Sequence, residues 1–185
     1  MVEIKRYEEK YKEDVRFVCC NSDGPCDWSE KKRHIILTTY CDYFIEKEGH
    51  NCFVAVDEND RAIGYILCAE NYDKFKKIFR KEYLPRLRKY TVSDRIAAVL
   101  STFIQARLRK KYPAHMHIDI LPEYQRMGLG HRLMDTLCEN LRKKGVKGVC
   151  LTMFANNEKG GNFYRKYGFT LLKTFFSTAI FALEL

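Results

Sequence analysis

No apolar run in this sequence approaches the roughly 20 residues needed to cross a bilayer, so a membrane-spanning protein is not expected. The first ten residues are charged throughout and carry no apolar core, so a secretory leader is not expected and a cytoplasmic location is. No Cys-x-x-Cys pair occurs and the histidines show no zinc-like spacing, so no metal is expected. The eight cysteines follow no regular spacing and mostly sit in periodic apolar segments. They read as reduced, buried thiols. Internal repeats, low-complexity tracts and long linkers are all missing, and 185 residues suit one domain over 1–185 with a full core.

Acidic residues are scarce in one place. From Glu70 to Tyr112 there are thirteen Lys or Arg against four Asp or Glu, which accounts for the whole net charge of +9. The plain reading is a solvated helical face. The functional one is a surface that attracts an acidic acceptor or partner. No nucleic-acid module accompanies the charge, so nucleic acid is not the expected partner.

The spacing of apolar residues predicts a short strand over Val2–Tyr7, a helix over Tyr11–Cys20, and a helix capped by Ser29 that runs to about Lys47. Cys52–Val56 and Ala62–Ala69 read as a hairpin around Asp57–Asp60. Residues 72–112 read as a helical insertion: one helix near Asp73–Tyr83, then Pro85, then a second carrying Ile96, Val99, Leu100, Phe103, Ile104 and Leu108. Then come a strand over Ala114–Leu121, a helix over Leu129–Lys143, a strand over Val149–Met153, a helix over Asn157–Tyr167 closed by Gly168, and two last strands, whose edge would suit a homodimer. The order predicts a mixed α/β single domain with helices flanking a central sheet.

Gln125-Arg126-Met127-Gly128-Leu129-Gly130 lies at a strand-to-helix turn. Two glycines let the backbone approach a ligand, and the helix start adds free N–H groups and a positive dipole end. That is a cradle for pyrophosphate, or else a tight turn with no ligand. A dinucleotide fingerprint needs a third glycine where Leu133 stands, and a Walker loop needs Lys where His131 stands. On the preceding strand, His115, His117 and Asp119 share one face, as a base with its partners or as a structural polar network. Cys150 on the next strand is a conceivable nucleophile, but a less simple route than direct attack.

The turn resembles the Q/R-x-x-G-x-G/A motif of the GNAT N-acetyltransferases. Asn157–Phe169 resembles the same family's N-x-x-A-x-x-F-Y-x-K-x-G-F. His117–Gln125 is similar, more weakly, to the acetyltransferase-like domain attached to some O-GlcNAc hydrolases. The histidine pair is similar to that of serotonin N-acetyltransferase, shifted by one residue. The resemblance implies a splayed sheet, acetyl-CoA as co-substrate and transfer to a primary amine of a small molecule in a ternary complex. The charged insertion would favour an acceptor bearing a carboxylate or phosphate. The alternative is a non-catalytic acyl-CoA-binding or interaction module of the same fold. By resemblance, backbone at Ile120 and Leu121 would hold the pantetheine, Gln125, Arg126, Met127, Gly128, Leu129, Gly130 and His131 the pyrophosphate, and Asn157 the cofactor arm. Tyr164 would protonate the leaving thiolate, its other reading being a core aromatic. His117, ahead of His115, would act as base with Asp119 orienting it. Gly160 and Gly161 depart from the family's Ala and apolar residue. Each costs about 1 kcal/mol in a helix, and fraying there would displace Tyr164.

Overall fold

The computed structural model describes residues 2–103 and 106–185, with the backbone alone for Ala97 and Ser101. Ile104, counted above in a helical stripe, lies outside the described residues.

Strands β2 (Phe53–Val56) and β3 (Ala62–Ala69) are buried at every position, as β-rich sequences covered on both faces must be. The turn between them forms because the Asp57 carboxylate accepts from the N–H groups of Asn59 and Arg61 (2.9 Å each) and Asp60 takes a φ of 58°. With β1 (Glu3–Arg6), β4 (Ala114–Ile120), β5 (Gly148–Phe154), β6 (Thr170–Phe175) and β7 (Thr178–Glu184), they make one sheet in the order β1-β2-β3-β4-β5-β7-β6. Neighbours are antiparallel except β4 and β5, which are parallel.

Helices cover both faces. α6 (Leu129–Lys143) forms where the sequence predicts it and buries Leu133, Met134, Leu137 and Leu141 against β1–β4. Each of those side chains is worth about 1.5–3 kcal/mol of burial. α7 (Glu158–Tyr167) lies beside it, with the Tyr167 hydroxyl donating to Asp135 (2.7 Å). On the other face lie α1 (Lys12–Asn21), α2 (Glu30–Tyr40), α3 (Asp42–Lys47), α4 (Tyr72–Ile78) and α5 (Val92–Phe103).

One expectation needs correction. The helix from Ser29 is not continuous to Lys47. Ser29 does cap it, accepting from the Lys32 N–H, but the chain breaks at Cys41 (φ −126°, ψ −64°). Thr38-Thr39-Tyr40 are poor helix formers, and the Thr39 hydroxyl bonds back to the Ile35 carbonyl (2.6 Å), which loosens the turn. Pro85 does fall between two helices, as expected: α4 continues through a wider helical turn, Phe79–Tyr83, into a tight turn, Leu84–Leu87, where Pro85 occupies the first positions and a missing N–H costs nothing, and α5 begins at Val92.

Candidate active site

β4 and β5 register only at Ala114↔Val149 and His115↔Cys150. β4 stays paired with β3 as far as Ile120, and β5 with β7 as far as Phe154. The two strands therefore diverge from Met116 and Leu151 onward and open a wedge in the sheet. In an antiparallel pair alternate residues direct their N–H and C=O groups to the partner. Leu121 donates its N–H to Ile63 (3.0 Å), so the alternation turns Met116, Ile118 and Ile120 toward the wedge. Of the two backbone positions expected to meet the pantetheine, Ile120 lines the wedge, whereas the Leu121 N–H is spent on β3 and its side chain is buried.

The turn that follows leaves backbone donors free. Gly128 caps α6 with φ 77°, and no heavy atom lies within 4 Å of where its Cβ would stand. Arg126 also takes a positive φ of 61°, unusual for a residue with a side chain. No side chain caps α6 and no acid sits in its first turn. The first helical bond runs from the Arg132 N–H to Gly128 (3.2 Å), so the N–H groups of Leu129, Gly130 and His131 have no intrahelical partner. Gly130 serves packing: a Cβ there would stand 3.0 and 3.1 Å from the Phe163 ring. Met127 is exposed, and the His131 ring stands edge-on to Phe163 (5.1 Å). Gln125 acts as a tie: its side-chain amide donates to the carbonyls of Ile120 and Ser22 (2.9 Å each), joining β4, the turn and the α1–α2 loop.

Both glycines of α7 have a physical account. The Asn157 side chain caps the helix by accepting from the Gly160 N–H (2.9 Å), and a Cβ on Gly160 would press that cap at 3.1 Å. Gly161 is buried beneath Arg165, which folds back over Phe181 (5.6 Å). The helix is therefore intact, and Tyr164 lies buried among Phe163, Phe169 and Phe181. Burial, and then the charge of Asp119, push the Tyr164 phenol well above its ordinary range, so it keeps its proton at neutral pH.

The polar column of β4 divides. His115 is buried against Phe44, Phe75 and Tyr72, and neither ring nitrogen meets a partner among the described residues. Burial holds it neutral, well below its usual range. His117 is half-buried beside Tyr40 and Phe44, and burial lowers it to about 4. A cavity with room for about one water is lined by both histidines, Thr39, Tyr40, Phe75, Thr102 and Thr152. Asp119 accepts from the Tyr65 hydroxyl and from Ser22, and burial nonetheless pushes it up to about 6. Sequence reading missed Tyr65, Ser22, Thr39, Tyr40, Thr102 and Thr152. Tyr65 is found only through the register Tyr65↔Asp119, which no local motif signals. Cys150 donates to the Ala114 carbonyl (3.5 Å), and burial pushes its thiol up to about 12, which removes it as a nucleophile near neutrality.

Glu48, His50 and Glu70 form, among the described residues, a cluster with ligand-like spacing at the opposite end of the sheet. Their oxygens are already taken by Lys74 and Lys144 (2.9 Å each), Tyr43 (3.1 Å) and Asn51, which makes a satisfied ionic network.

Against known families, residues 17–169 match the model of the Acetyltransferase (GNAT) family. The chain belongs to the GNAT acetyltransferase family. As a GNAT acetyltransferase it is an N-acetyltransferase, and acetyl-CoA is its co-substrate. Solved structures share the fold across the whole chain. SsHAT is 23% identical, with a TM-score of 0.88 over 99% of this chain and 98% of that one. The PaiA N-acetyltransferase from Thermoplasma acidophilum in complex with coenzyme A is 18% identical, with a TM-score of 0.62 over 100% and 99%. The polyamine N-acetyltransferase of Drosophila melanogaster, described as catalysing formation of N-acetylagmatine, is 15% identical, with a TM-score of 0.66 over 100% of both chains. The open space at Gly128 and the uncapped start of α6 fit the pyrophosphate of coenzyme A. No helix is long and apolar enough to cross a membrane among the described residues.

Proposed function

We propose that this GNAT acetyltransferase acetylates a primary amine of a small molecule by direct attack in a ternary complex, with the 72–112 segment on the acceptor side. One observation carries the reading: the β4–β5 wedge has a polar column on one face and a protonated tyrosine on the other. Acetyl-CoA supplies the activated acyl group and the thiolate leaving group. The amides from Leu129 to His131 hold its phosphates, and Ile118 and Ile120 present backbone groups to its arm. Asn157 fixes the start of α7 and thereby the height of Tyr164.

The acceptor amine must be neutral to attack. His117 is neutral at pH 7 and, as a weak base, accepts a hydrogen bond from the amine and relays its proton through a water in the adjoining cavity rather than keeping it. Asp119, held by Tyr65, orients the incoming ammonium and lowers the cost of its approach. Tyr164 holds the proton that the departing sulfur needs.

Calorimetric titration with acetyl-CoA tests the foundation. Wild type should bind. Gly128→Glu should weaken binding about 100-fold or more, because it combines a strained φ of 77° with a carboxylate facing phosphate. Equal affinity in the two proteins would sink the cradle.

A further inference from the structure

α2 and α5 lie over the sheet face that carries the β4 histidines, and these helices run side by side in the same direction. Lys31 near the start of α2 pairs with Asp94 near the start of α5 (2.7 Å), while Thr39 and Tyr40 at the end of α2 meet Thr102 at the end of α5 around the histidine cavity. The histidine cavity thus lies beneath the last turns of the two helices, with His117 and Thr152 in its lining, and the Lys31–Asp94 pair ties their first turns.

The exposure pattern of α5 fixes which side chains face inward. Val92, Ile96 and Leu100 are exposed, whereas Ala98 and Thr102 are buried. Arg95 stands three residues before Ala98 and seven before Thr102, on the same inward stripe. Among the described residues, four of the segment's thirteen cationic residues pair with acids: Lys74 with Glu48, Arg86 with Glu46, Arg109 with Asp73 and Lys111 with Glu184. Arg95 is different. Its Nε is buried, with no acceptor in hydrogen-bonding reach among the described residues. A buried guanidinium donor without an acceptor is costly, and an incoming carboxylate or phosphate would supply a bidentate partner.

We propose that Arg95 is the specificity-determining residue of the acceptor site and anchors an oxyanion at the far end of the acceptor from its amine. This rests on the reading given under Proposed function and narrows it: the substrate class is amines that also carry a carboxylate or phosphate. Arg95 lies roughly 10 Å of helical rise outward from Thr102, so the two groups must be separated by several bonds. The amine end meets Asp119, with Asp23 close enough to act on it, and the anionic end meets Arg95. One acceptor is thus gripped by opposite charges at its two ends.

The test compares a series of ω-amino carboxylates of increasing length, each paired with its neutral carboxamide, for wild type, Arg95→Gln and Arg95→Lys. Product is read by mass spectrometry, and folding and acetyl-CoA affinity by melting and calorimetry. Wild type should prefer the carboxylates with an optimum at intermediate length. Arg95→Gln should collapse the carboxylate-to-amide ratio of kcat/KM about 10- to 100-fold, chiefly through KM, and Arg95→Lys should restore part of it. A ratio unchanged in Arg95→Gln overturns the assignment, as does a wild type that binds acetyl-CoA and acetylates no member of the carboxylate series. A wild type that does not bind acetyl-CoA overturns the enzyme reading itself, and the anchor with it.

Discussion

Asp119 is pulled two ways: burial favours its neutral form, while the hydroxyls of Tyr65 and Ser22 favour the carboxylate. Burial is the larger effect and leaves it near 6, so it is mostly ionised at pH 7 and loses its charge as the pH falls through about 6. If the carboxylate orients the acceptor ammonium, kcat must fall on that same limb. Asp119→Asn should remove the limb near pH 6 and lower the plateau about tenfold or more. A limb that persists in the variant assigns it to another group. Tyr164 makes the complementary case. Its phenol stays protonated across the whole working range, so Tyr164→Phe should lower kcat at every pH and move no limb below pH 9, to within about a unit. The residue types of this site were legible in the sequence and their protonation was not. His115 and His117 sit two positions apart on one strand face, yet only the fold shows that Phe44, Phe75 and Tyr72 enclose the first. Arg95 carried no sequence signal at all beyond its place in a basic segment.

At the scale of elements, the start of α6 and the side of α7 meet through a single missing Cβ. Gly130 lets the Phe163 ring approach, and Phe163 directly precedes Tyr164 on α7. Gly130→Ala sets a methyl at 3.0 Å from that ring and must push α7 or the turn outward. The expected cost is about 1–3 kcal/mol of stability, read in a urea titration, together with a fall in kcat larger than the loss of acetyl-CoA affinity, because Tyr164 shifts with the helix. Unchanged stability and kcat would mean that the two helices are not coupled there. Helices whose caps and apolar stripes are local, such as α6 from Leu129 to Lys143, were readable to the residue. The break at Cys41 was not, because it depends on a threonine bonding back to its own turn. Nor was the widening of the helical turn at Phe79–Tyr83, where Phe75, Phe79, Tyr83 and Phe103 pack together.

Across the whole molecule, the net charge is gathered in the segment between β3 and β4, while the titratable groups of the proposed site lie buried on β4. Order of elements sufficed to read that architecture, since a strand, a glycine turn and a helix followed by a strand and a second capped helix pack in few ways. What order alone does not reveal is how the interior titrates against stability. His115 and His117 are neutral in the fold, with values depressed below 6.5, so they stabilise it fully above that pH and less as the pH falls, where the unfolded chain binds protons that the fold refuses. Asp119 works oppositely. Its raised value means that the fold holds a proton that the unfolded chain has lost, so its contribution is present below about 4 and disappears as the pH rises through about 6. Between 6.5 and 6 only the histidines act, and stability must decline on acidification. Below 6 the carboxyl partly offsets them. His115→Phe replaces an unpartnered imidazole with a ring suited to its aromatic surroundings. Its melting temperature should therefore match or exceed that of wild type at pH 7.5, and the gap should widen in its favour at pH 5. A gap that stays constant between the two pH values would show that His115 is already protonated in the fold or exchanges protons freely with solvent.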